Sequence, residues 1–352
     1  MAYTTIDDPS AYFKVQLWTG NATNRSITFD DTDTNMQPDL IWLKNRDGTD
    51  WHDVTDSVRG VTKSIYPNET DAEDTVADAV TAFGSDGFSI GTNNQVNKNT
   101  DKYVAWCWKG AGGSGSADTN GTINTTSTSA NTTSLFSIST YTGNNSNAQT
   151  IGHGLGTAPK VYLQKRRDDT SAWGMYHGSL GANKYLQLES TNAVATDTGI
   201  WNNTAPTSTV VSLGNAGYFN NVSSATYVSY AFGEVQGFSK FGKYTGNGNA
   251  DGAFVYTGFR PAWIVVKRTD SANSWMMYDN KRNPINLVDN PLYAEGSDAE
   301  GTSSAASFDF LSNGFKCRGT GSAINASGAT MIYMAFAEAS FVNSKGVPCN
   351  AG

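Results

Sequence analysis

The chain has 352 residues and a formal net charge of −8 at pH 7. Only 16% of its residues are charged, against about 25% in a typical soluble domain, and glycine occupies 36 positions. This composition favours short strands joined by turns, and it excludes both the basic face of a nucleic-acid binder and the roughly 18 consecutive apolar residues of a membrane span.

The first predicted elements are strands. Residues 12–18 alternate apolar and polar side chains at the period of a strand, and residues 19–21, Thr-Gly-Asn, predict the turn that follows. Residues 39–44 form a continuous apolar run that begins after Pro38, which is typical of a strand buried on both faces.

This opening pattern occurs three times in the chain. Each copy has an aromatic-Thr-Gly-Asn turn, a proline six positions before a lysine, and a tryptophan within eight residues of that lysine. A repeat of roughly 100 residues corresponds to a small domain, since solenoid repeats are about 20–50 residues long. The copies contain Trp18-Thr-Gly-Asn21, Pro38, Lys44 and Trp51; Tyr141-Thr-Gly-Asn144, Pro159, Lys165 and Trp173; and Tyr244-Thr-Gly-Asn247, Pro261, Lys267 and Trp275.

Each copy ends in a glycine-aromatic pair and a last apolar run. These are Gly87-Phe88 with residues 103–108, Gly217-Tyr218 with residues 227–232, and Gly314-Phe315 with residues 331–336. Short strands, glycine-rich turns and weak helical periodicity predict an all-β chain of three tandem β-sandwich units. The predicted boundaries are 1–109 for unit 1, 110–134 for a linker, 135–236 for unit 2, 237–340 for unit 3 and 341–352 for a C-terminal arm.

The predicted linker is rich in Gly, Ser and Thr and has few side chains that could anchor in a core. Such a tract is typical of a flexible or extended connector. Units 2 and 3 follow each other without a comparable tract. We therefore expect unit 1 to be tethered loosely and the other two units to pack more rigidly.

Metal and disulfide patterns are weak in this sequence. The histidines and cysteines are not at equivalent positions in the repeats, and the histidines lack the i, i+4 spacing of a zinc site. We interpret the histidines as surface or hydrogen-bonded imidazoles and the cysteines as buried or incidental thiols. These residues are His52, His153, His177, Cys107, Cys317 and Cys349.

One segment has the opening alternation of a calcium loop, with Asp31, Asp33 and Asn35. Met36 stands where that loop needs glycine, and Trp42 where it needs the closing glutamate. Asp and Asn also form ordinary turns. We therefore expect no cofactor, with calcium as the alternative for this segment.

The sequence offers no repeated pair of catalytic acids. Glu234 and Glu338 end equivalent strands, but Lys109 stands near that position in the first copy. Glycan hydrolysis needs paired carboxyl groups about 5–10 Å apart. We therefore expect a protein that is not an enzyme.

The repeated tryptophans are the candidate ligand-binding residues. Trp51, Trp173 and Trp275 occupy one repeated strand position, which indicates packing in the core of each unit, and the alternative is that they serve as aromatic platforms for a sugar. The cations that end the same strands are interpreted as solvated strand ends, with a binding role as the alternative. They are Lys44 and Arg46, Lys165 and Arg167, and Lys267 and Arg268.

With the repeats aligned, the sequence resembles a family of tailed-phage virion proteins that is frequent in phages of marine bacteria and is usually described as tail fibre or lectin-like. The resemblance covers nearly the whole chain. It is carried by Tyr103-Val-Ala-Trp-Cys-Trp-Lys109, Trp201-Asn-Asn-Thr-Ala-Pro206, Phe238-Ser-Lys-Phe-Gly-Lys-Tyr-Thr-Gly-Asn247, Tyr256-Thr-Gly-Phe-Arg-Pro261, Phe310-Leu-Ser-Asn-Gly-Phe315 and Tyr333-Met-Ala-Phe-Ala-Glu338.

This resemblance implies a location in the virion and sandwich units of the jelly-roll or concanavalin-A-like kind. The expected function is that of a non-enzymatic structural protein of a bacteriophage, a tail fibre or receptor-binding component for host attachment through surface glycans. The alternative is a capsid decoration or head-fibre protein. The expected partners are other virion proteins and a host glycan, without nucleic acid or membrane, in a homo-oligomer for which a trimer is favoured.

Overall fold

A computed structural model describes residues 3–31, 34–215 and 219–349. Regular structure in these ranges is nearly all β, which confirms the predicted fold class. The strands of unit 1 are β1 (Phe13–Thr19), β2 (Arg25–Thr28), β3 (Leu40–Asn45), β4 (Asp53–Asp56), β5 (Lys63–Ser64), β6 (Asp74–Thr75), β7 (Val80–Gly84), β8 (Gly87–Ile90) and β9 (Lys102–Trp108). One-turn helices lie at Pro9–Ala11, a 3-10 turn, and at α1 (Asn94–Asn97).

Units 2 and 3 contribute the remaining strands. Unit 2 contains β10 (Ser127–Asn131), β11 (Phe136–Thr142), β12 (Gln149–Gly152), β13 (Val161–Arg166), β14 (Gly174–His177), β15 (Lys184–Gln187), β16 (Ala195–Thr196), β17 (Val210–Leu213) and β18 (Thr226–Phe232). Unit 3 contains β19 (Ser239–Thr245), β20 (Phe254–Tyr256), β21 (Phe259–Arg268), β22 (Trp275–Asp279), β23 (Leu292–Tyr293), β24 (Phe308–Leu311), β25 (Gly314–Cys317) and β26 (Thr330–Ser340), with a 3-10 turn at Ser304–Ala306 and α2 (Ser322–Asn325).

The large sheets of the three units share one strand order. In each, the strand that ends at the repeated aromatic-Thr-Gly turn pairs with the last strand of the unit. The last strand also pairs with the strand that carries the repeated lysine, and that strand pairs with the next strand along the chain. The orders are β1-β9-β3-β4, β11-β18-β13-β14 within a seven-stranded sheet, and β19-β26-β21-β22. The pairs are antiparallel throughout.

A smaller sheet covers one face of each large sheet and completes a sandwich. The small sheets are β2-β8-β7, β12-β17 and β20-β25-β24. In unit 1, alternate residues of β9, such as Tyr103, Ala105 and Cys107, pack against residues of the small sheet, such as Phe88 and Ile90. The alternation follows from the strand geometry, in which successive side chains point to opposite faces.

The other faces of the three large sheets meet in one core that all units share. Val104, Trp106 and Trp108 of β9 lie in it with residues from both other units. Because these strands are buried on both faces, they appear in the sequence as continuous apolar runs. The chain is therefore one body of three sandwiches around a common centre.

Three equivalent aromatic residues mark this centre. Trp108, Phe232 and Phe336 are the last aromatic residues of β9, β18 and β26. The ring centroids are 6.1 Å apart for Trp108 and Phe232, 5.9 Å for Phe232 and Phe336, and 5.6 Å for Trp108 and Phe336. These aromatic contacts form a closed triangle on the approximate threefold axis.

Residues 110–134 pack on the body, which corrects their interpretation as a flexible linker. The N–H groups of Gly112 and Gly113 donate to the Asp39 carboxylate at 3.0 and 2.9 Å. Ile123 is buried in the core of unit 2, and β10 pairs with β11 along its full length. Strand pairing uses backbone groups, so a Ser/Thr-rich composition did not reveal it.

The C-terminal arm, predicted for residues 341–352, lies against unit 3 as far as residue 349, and residues 350–352 are outside the described ranges. The Phe341 N–H donates to the Gly258 carbonyl at 3.1 Å. Ser344 donates its N–H to the Asp7 carboxylate at 2.6 Å. In the described ranges, no helix has the length and hydropathy required to cross a bilayer.

Candidate functional site: the junctions between units

The repeated tryptophans lie at the junctions between units. Trp173 and Trp275 are each only 1% exposed, whereas Trp51 is 39% exposed and packs against Tyr66. The Trp173 indole N–H donates across the junction to the Tyr66 carbonyl at 2.9 Å, and that of Trp275 donates to the Gln187 carbonyl at 3.1 Å. The interpretation of Trp173 and Trp275 as platforms for a sugar is therefore wrong, because solvent does not reach their rings.

His52, and not Trp51, is the structural equivalent of these two tryptophans. His52 Nε2 is 3.0 Å from the Tyr293 carbonyl, and Nδ1 accepts from the Trp42 indole at 2.9 Å. The sequence carried a signal for this, because Trp173 and Trp275 stand eight positions after their lysines and Trp51 stands seven after its own. The eighth position is His52.

Large neighbours fill the space that the smaller imidazole leaves. Trp42 and Trp106 flank His52, and Trp106 stacks on it with an interplanar angle of 21°. The positions equivalent to Trp42 in the other units are Leu163 and Val265 by strand register. Larger side chains beside His52 therefore offset its smaller ring, as close packing requires.

The repeated lysines are buried, which corrects their interpretation as solvated strand ends. Lys165 Nζ donates to the Thr70 carbonyl of unit 1 at 3.0 Å, and Lys267 Nζ donates to the Thr191 carbonyl of unit 2 at 3.1 Å. Lys44 Nζ donates to the Gly48 carbonyl at 3.0 Å. Burial lowers the pKa of each lysine to about 8, and neighbouring carboxylates offset this only in part.

The junction of units 2 and 1 contains a buried network of charges. Arg59 Nε is 2.5 Å from Asp56, and Arg59 Nη1 is 3.1 Å from Glu73. Glu73 also accepts from Arg167 of unit 2 at 2.8 Å. The Tyr230 hydroxyl of unit 2 donates to Asp56 at 2.7 Å.

The junction of units 1 and 3 repeats this network position by position. Arg282 is 2.6 Å from Asp279 and 3.0 Å from Glu300, and Glu300 accepts from Arg46 of unit 1 at 2.8 Å. The Trp106 indole takes the place of the tyrosine hydroxyl and donates to Asp279 at 3.1 Å. The two networks therefore bind unit 2 to unit 1 and unit 1 to unit 3 in the same direction around the ring.

The junction of units 3 and 2 has neutral residues at every one of these positions. The equivalence follows from the backbone, since the N–H groups of Glu73, Glu300 and Val194 donate to the carbonyls of Arg167, Arg46 and Thr269. The His177 imidazole lies 3.2 Å from the Tyr333 carbonyl of unit 3. The replacements are His177 for the aspartate, Leu180 for the first arginine, Val194 for the glutamate, Thr269 for the second arginine and Met334 for the tyrosine.

We expect acid to destabilise the junctions through His52 and His177. Burial, with the charges of Lys44 and Arg282 nearby, lowers the pKa of His52 from 6.5 to about 3, and burial lowers that of His177 to about 4. The unfolded chain therefore binds more protons than the folded chain below pH 6.5, so stability falls as the pH drops from 6.5 towards 4. Each pH unit removes up to about 1.4 kcal/mol per histidine.

The measurement is the free energy of urea unfolding between pH 7 and pH 4. Asp53 opposes the trend, because burial raises its pKa to about 6. The comparison is therefore with His52→Gln and His177→Gln, whose amides keep one donor and one acceptor. Variants with the same pH slope as the parent would contradict the assignment.

The acidic residues considered for catalysis or for calcium binding form ion pairs with nearby basic side chains. Glu234 pairs with Lys240 at 2.6 Å, and Glu338 pairs with Arg260 at 2.8 Å. In the calcium candidate, Asp33 lies outside the described residues, and Asp31 pairs with Lys14. The described ranges contain no cluster of three or more side chains suited to a metal ion.

The cysteine thiols are unpaired. Cys107 and Cys317 are buried, and Cys349 is exposed. An apolar gap of about 30 Å³ in the shared core has room for little more than one water, whereas pockets for drug-sized ligands are roughly 300–1,000 Å³. The centre of the body is therefore a packed core.

Comparison with known proteins gives one family. The profile of a domain of unknown function, DUF7483, matches residues 8–340. No curated protein and no solved structure gives a significant match. The matched region runs from just before the first 3-10 turn to the end of β26, so the family domain corresponds to the complete three-unit body. The chain belongs to the DUF7483 family.

Proposed function

We propose that the chain is a non-enzymatic structural protein of a phage virion, a tail fibre or receptor-binding component that recognises glycans of the host surface. The observation that supports this best is the closed ring of junctions around one core. Buried aromatic rings and buried ion pairs hold the three sandwiches in fixed relative positions. Fixed relative positions of the units would hold a ligand-binding surface in one geometry, which lowers the ordering cost of binding.

The three units give one chain the arrangement that a trimer gives three chains. The small sheet of each unit covers the face of its large sheet that points away from the common centre. We propose that these outer surfaces bind a ligand and other virion proteins. We propose that copies associate through such outer faces, with a trimer as the favoured assembly.

A capsid decoration or head-fibre protein is the second candidate. It is favoured by the shape of the described chain, which folds from residue 9 to residue 340 into one block of sandwiches. A block of this kind could sit on a shell as a separate subunit.

Two measurements test the proposal. Purified protein added to host cells should reduce adsorption of the phage that encodes it, and quantitative mass spectrometry of particles should find tens of copies per particle. Unchanged adsorption together with hundreds of copies would contradict the receptor-binding proposal and support decoration of the capsid.

A further inference from the structure

The small sheet of unit 3 presents two exposed aromatic rings on one face. Phe254 and Tyr256 are alternate residues of β20, so both side chains point outward, and they are 47% and 53% exposed. The Tyr256 hydroxyl lies 3.0 Å from that of Tyr3, which helps to fix its orientation. Exposed large apolar groups that lie together on a soluble protein mark binding surfaces more often than scattered ones do.

The other units show that the fold does not need these rings. By strand register, the equivalent residues are Ser26 and Thr28 in unit 1 and Thr150 and Gly152 in unit 2. Units 1 and 3 also share a glycine on the neighbouring strand, Gly87 opposite Thr28 and Gly314 opposite Tyr256. A Cβ at Gly87 would lie 2.0 Å from a carbonyl oxygen of β2, and a Cβ at Gly314 would lie 2.1 Å from one of β20.

Gly314 also shapes the surface in front of the rings. It lies directly opposite Tyr256, and Leu311 follows it across the sheet. Because Gly314 has no side chain, the Phe254 ring lies over it, with Cε2 3.2 Å from where a Cβ would be. The two aromatic rings therefore border one side of an open sheet face. On the other side, Ile285 and Leu287 are exposed, beyond the edge strand β24.

The same sheet face carries polar groups that already balance each other's charge. Lys316 is opposite Phe254 and pairs with Asp251, and Asp309 is opposite Lys316 and pairs with Arg318 at 3.4 Å. These groups can exchange hydrogen bonds with hydroxyl groups without leaving an unbalanced charge. The acidic chain as a whole repels anions, and the two ion pairs leave no excess negative charge on this face to attract a cation, so an uncharged ligand fits best.

The area of this face decides between a glycan and a protein as the ligand. Four neighbouring backbone segments about 4.8 Å apart and two positions along each strand define a patch of about 14 by 7 Å, on the order of 100 Å². A stable protein interface needs about 800 Å² on each partner. The patch matches two or three linked sugar rings, which present apolar C–H faces to aromatic rings and hydroxyl groups to polar side chains.

We propose that this face of unit 3 is a binding site for a neutral oligosaccharide, with the apolar sugar faces on Phe254 and Tyr256 and the hydroxyl groups on Lys316 and Asp309. The proposal deepens the proposed function and rests on it. It assigns sugar binding to two rings that solvent reaches, instead of the buried rings of Trp173 and Trp275.

The test uses the full chain and a panel of immobilised neutral tri- and tetrasaccharides of glucose, galactose, mannose and N-acetylglucosamine, beside extracted host-surface glycans. The variant Phe254→Ser with Tyr256→Thr installs the residues of unit 1 and should keep the parent's melting temperature. It should lower the affinity for the bound saccharide by about tenfold or more. The reverse exchange in unit 1, Ser26→Phe with Thr28→Tyr, is the matched control for added aromatic surface.

The outcomes distinguish a failure of this binding site from a failure of the proposed function. Binding that the double variant of unit 3 retains would overturn this site and leave glycan recognition in place elsewhere. If neither the panel nor the host glycans bind the parent chain, recognition itself fails. Concentration-dependent self-association of the parent that the variant abolishes, without saccharide binding, would assign the face to a second copy and overturn the proposal.

Discussion

Replacing Arg59 by leucine should destabilise the protein by about 3–5 kcal/mol, whereas a fivefold exchange around the same residue should be close to neutral. Arg59 is fully buried between Asp56 and Glu73, so its loss leaves the buried Asp56 carboxylate without a cation, whereas Glu73 keeps Arg167. The fivefold exchange installs at the junction of units 2 and 1 the neutral residues of the junction of units 3 and 2. It consists of Asp56→His, Arg59→Leu, Glu73→Val, Arg167→Thr and Tyr230→Met.

The physical reason is the cost of desolvating charges. Removing one partner of a buried ion pair leaves an uncompensated charge, while replacing the whole group with apolar residues of similar size removes the desolvation penalty together with the attraction. The junction of units 3 and 2 shows that this fold can form with uncharged residues at all of these positions. Leu180 and Val194 there pack against the shared core.

Urea unfolding at pH 7 provides the measurement, with Arg268→Leu as the control. Arg268 pairs with the partly exposed Asp270, and such pairs contribute about 0–1 kcal/mol. A fivefold variant as unstable as Arg59→Leu would show that the neutral junction depends on its own surroundings. An Arg59→Leu variant as stable as the parent would contradict the role of the network.

Replacing Trp173 or Trp275 by alanine should cost about 3–5 kcal/mol, and replacing Trp51 should cost about 1 kcal/mol or less. The first two rings are buried in the shared core, and each also donates a hydrogen bond to the neighbouring unit. Trp51 lies at the surface beside Tyr66. The three residues looked equivalent in the sequence, so the contrast tests the structural alignment directly.

Melting temperatures of the three alanine variants check this prediction, and His52→Ala completes the comparison. The histidine variant should resemble those of Trp173 and Trp275, because it removes the equivalent contact to the Tyr293 carbonyl. Equal losses for Trp51→Ala and Trp173→Ala would show that His52 does not occupy the equivalent position. A small loss for His52→Ala would lead to the same conclusion.

The candidate site shows how far the sequence could lead. The offset of eight residues from the lysine identifies His52 once the repeats are aligned by that lysine. The charge networks are much harder to find, because Arg59 and Glu73 belong to one unit and Arg167 to the next. Contacts between residues of different units leave no periodic pattern in the sequence.

The exposed rings of Phe254 and Tyr256 were present in the sequence, but nothing there separated them from core aromatics. Phe254 and the buried Phe259 are both strand aromatics near a glycine. Only the register against β25 shows which face of the sheet each side chain occupies.

The sequence by itself determined the all-β class, the repeating strands and the turns between them, because strand alternation and turn chemistry are local properties. The tertiary structure decided that the units share one core, that Lys165 and Trp173 are buried, and that residues 110–134 pack on units 1 and 2. The physical reason is that a strand buried on both faces has the same apolar sequence pattern whichever segment covers its second face. The neighbour is chosen by packing between segments that lie far apart along the chain.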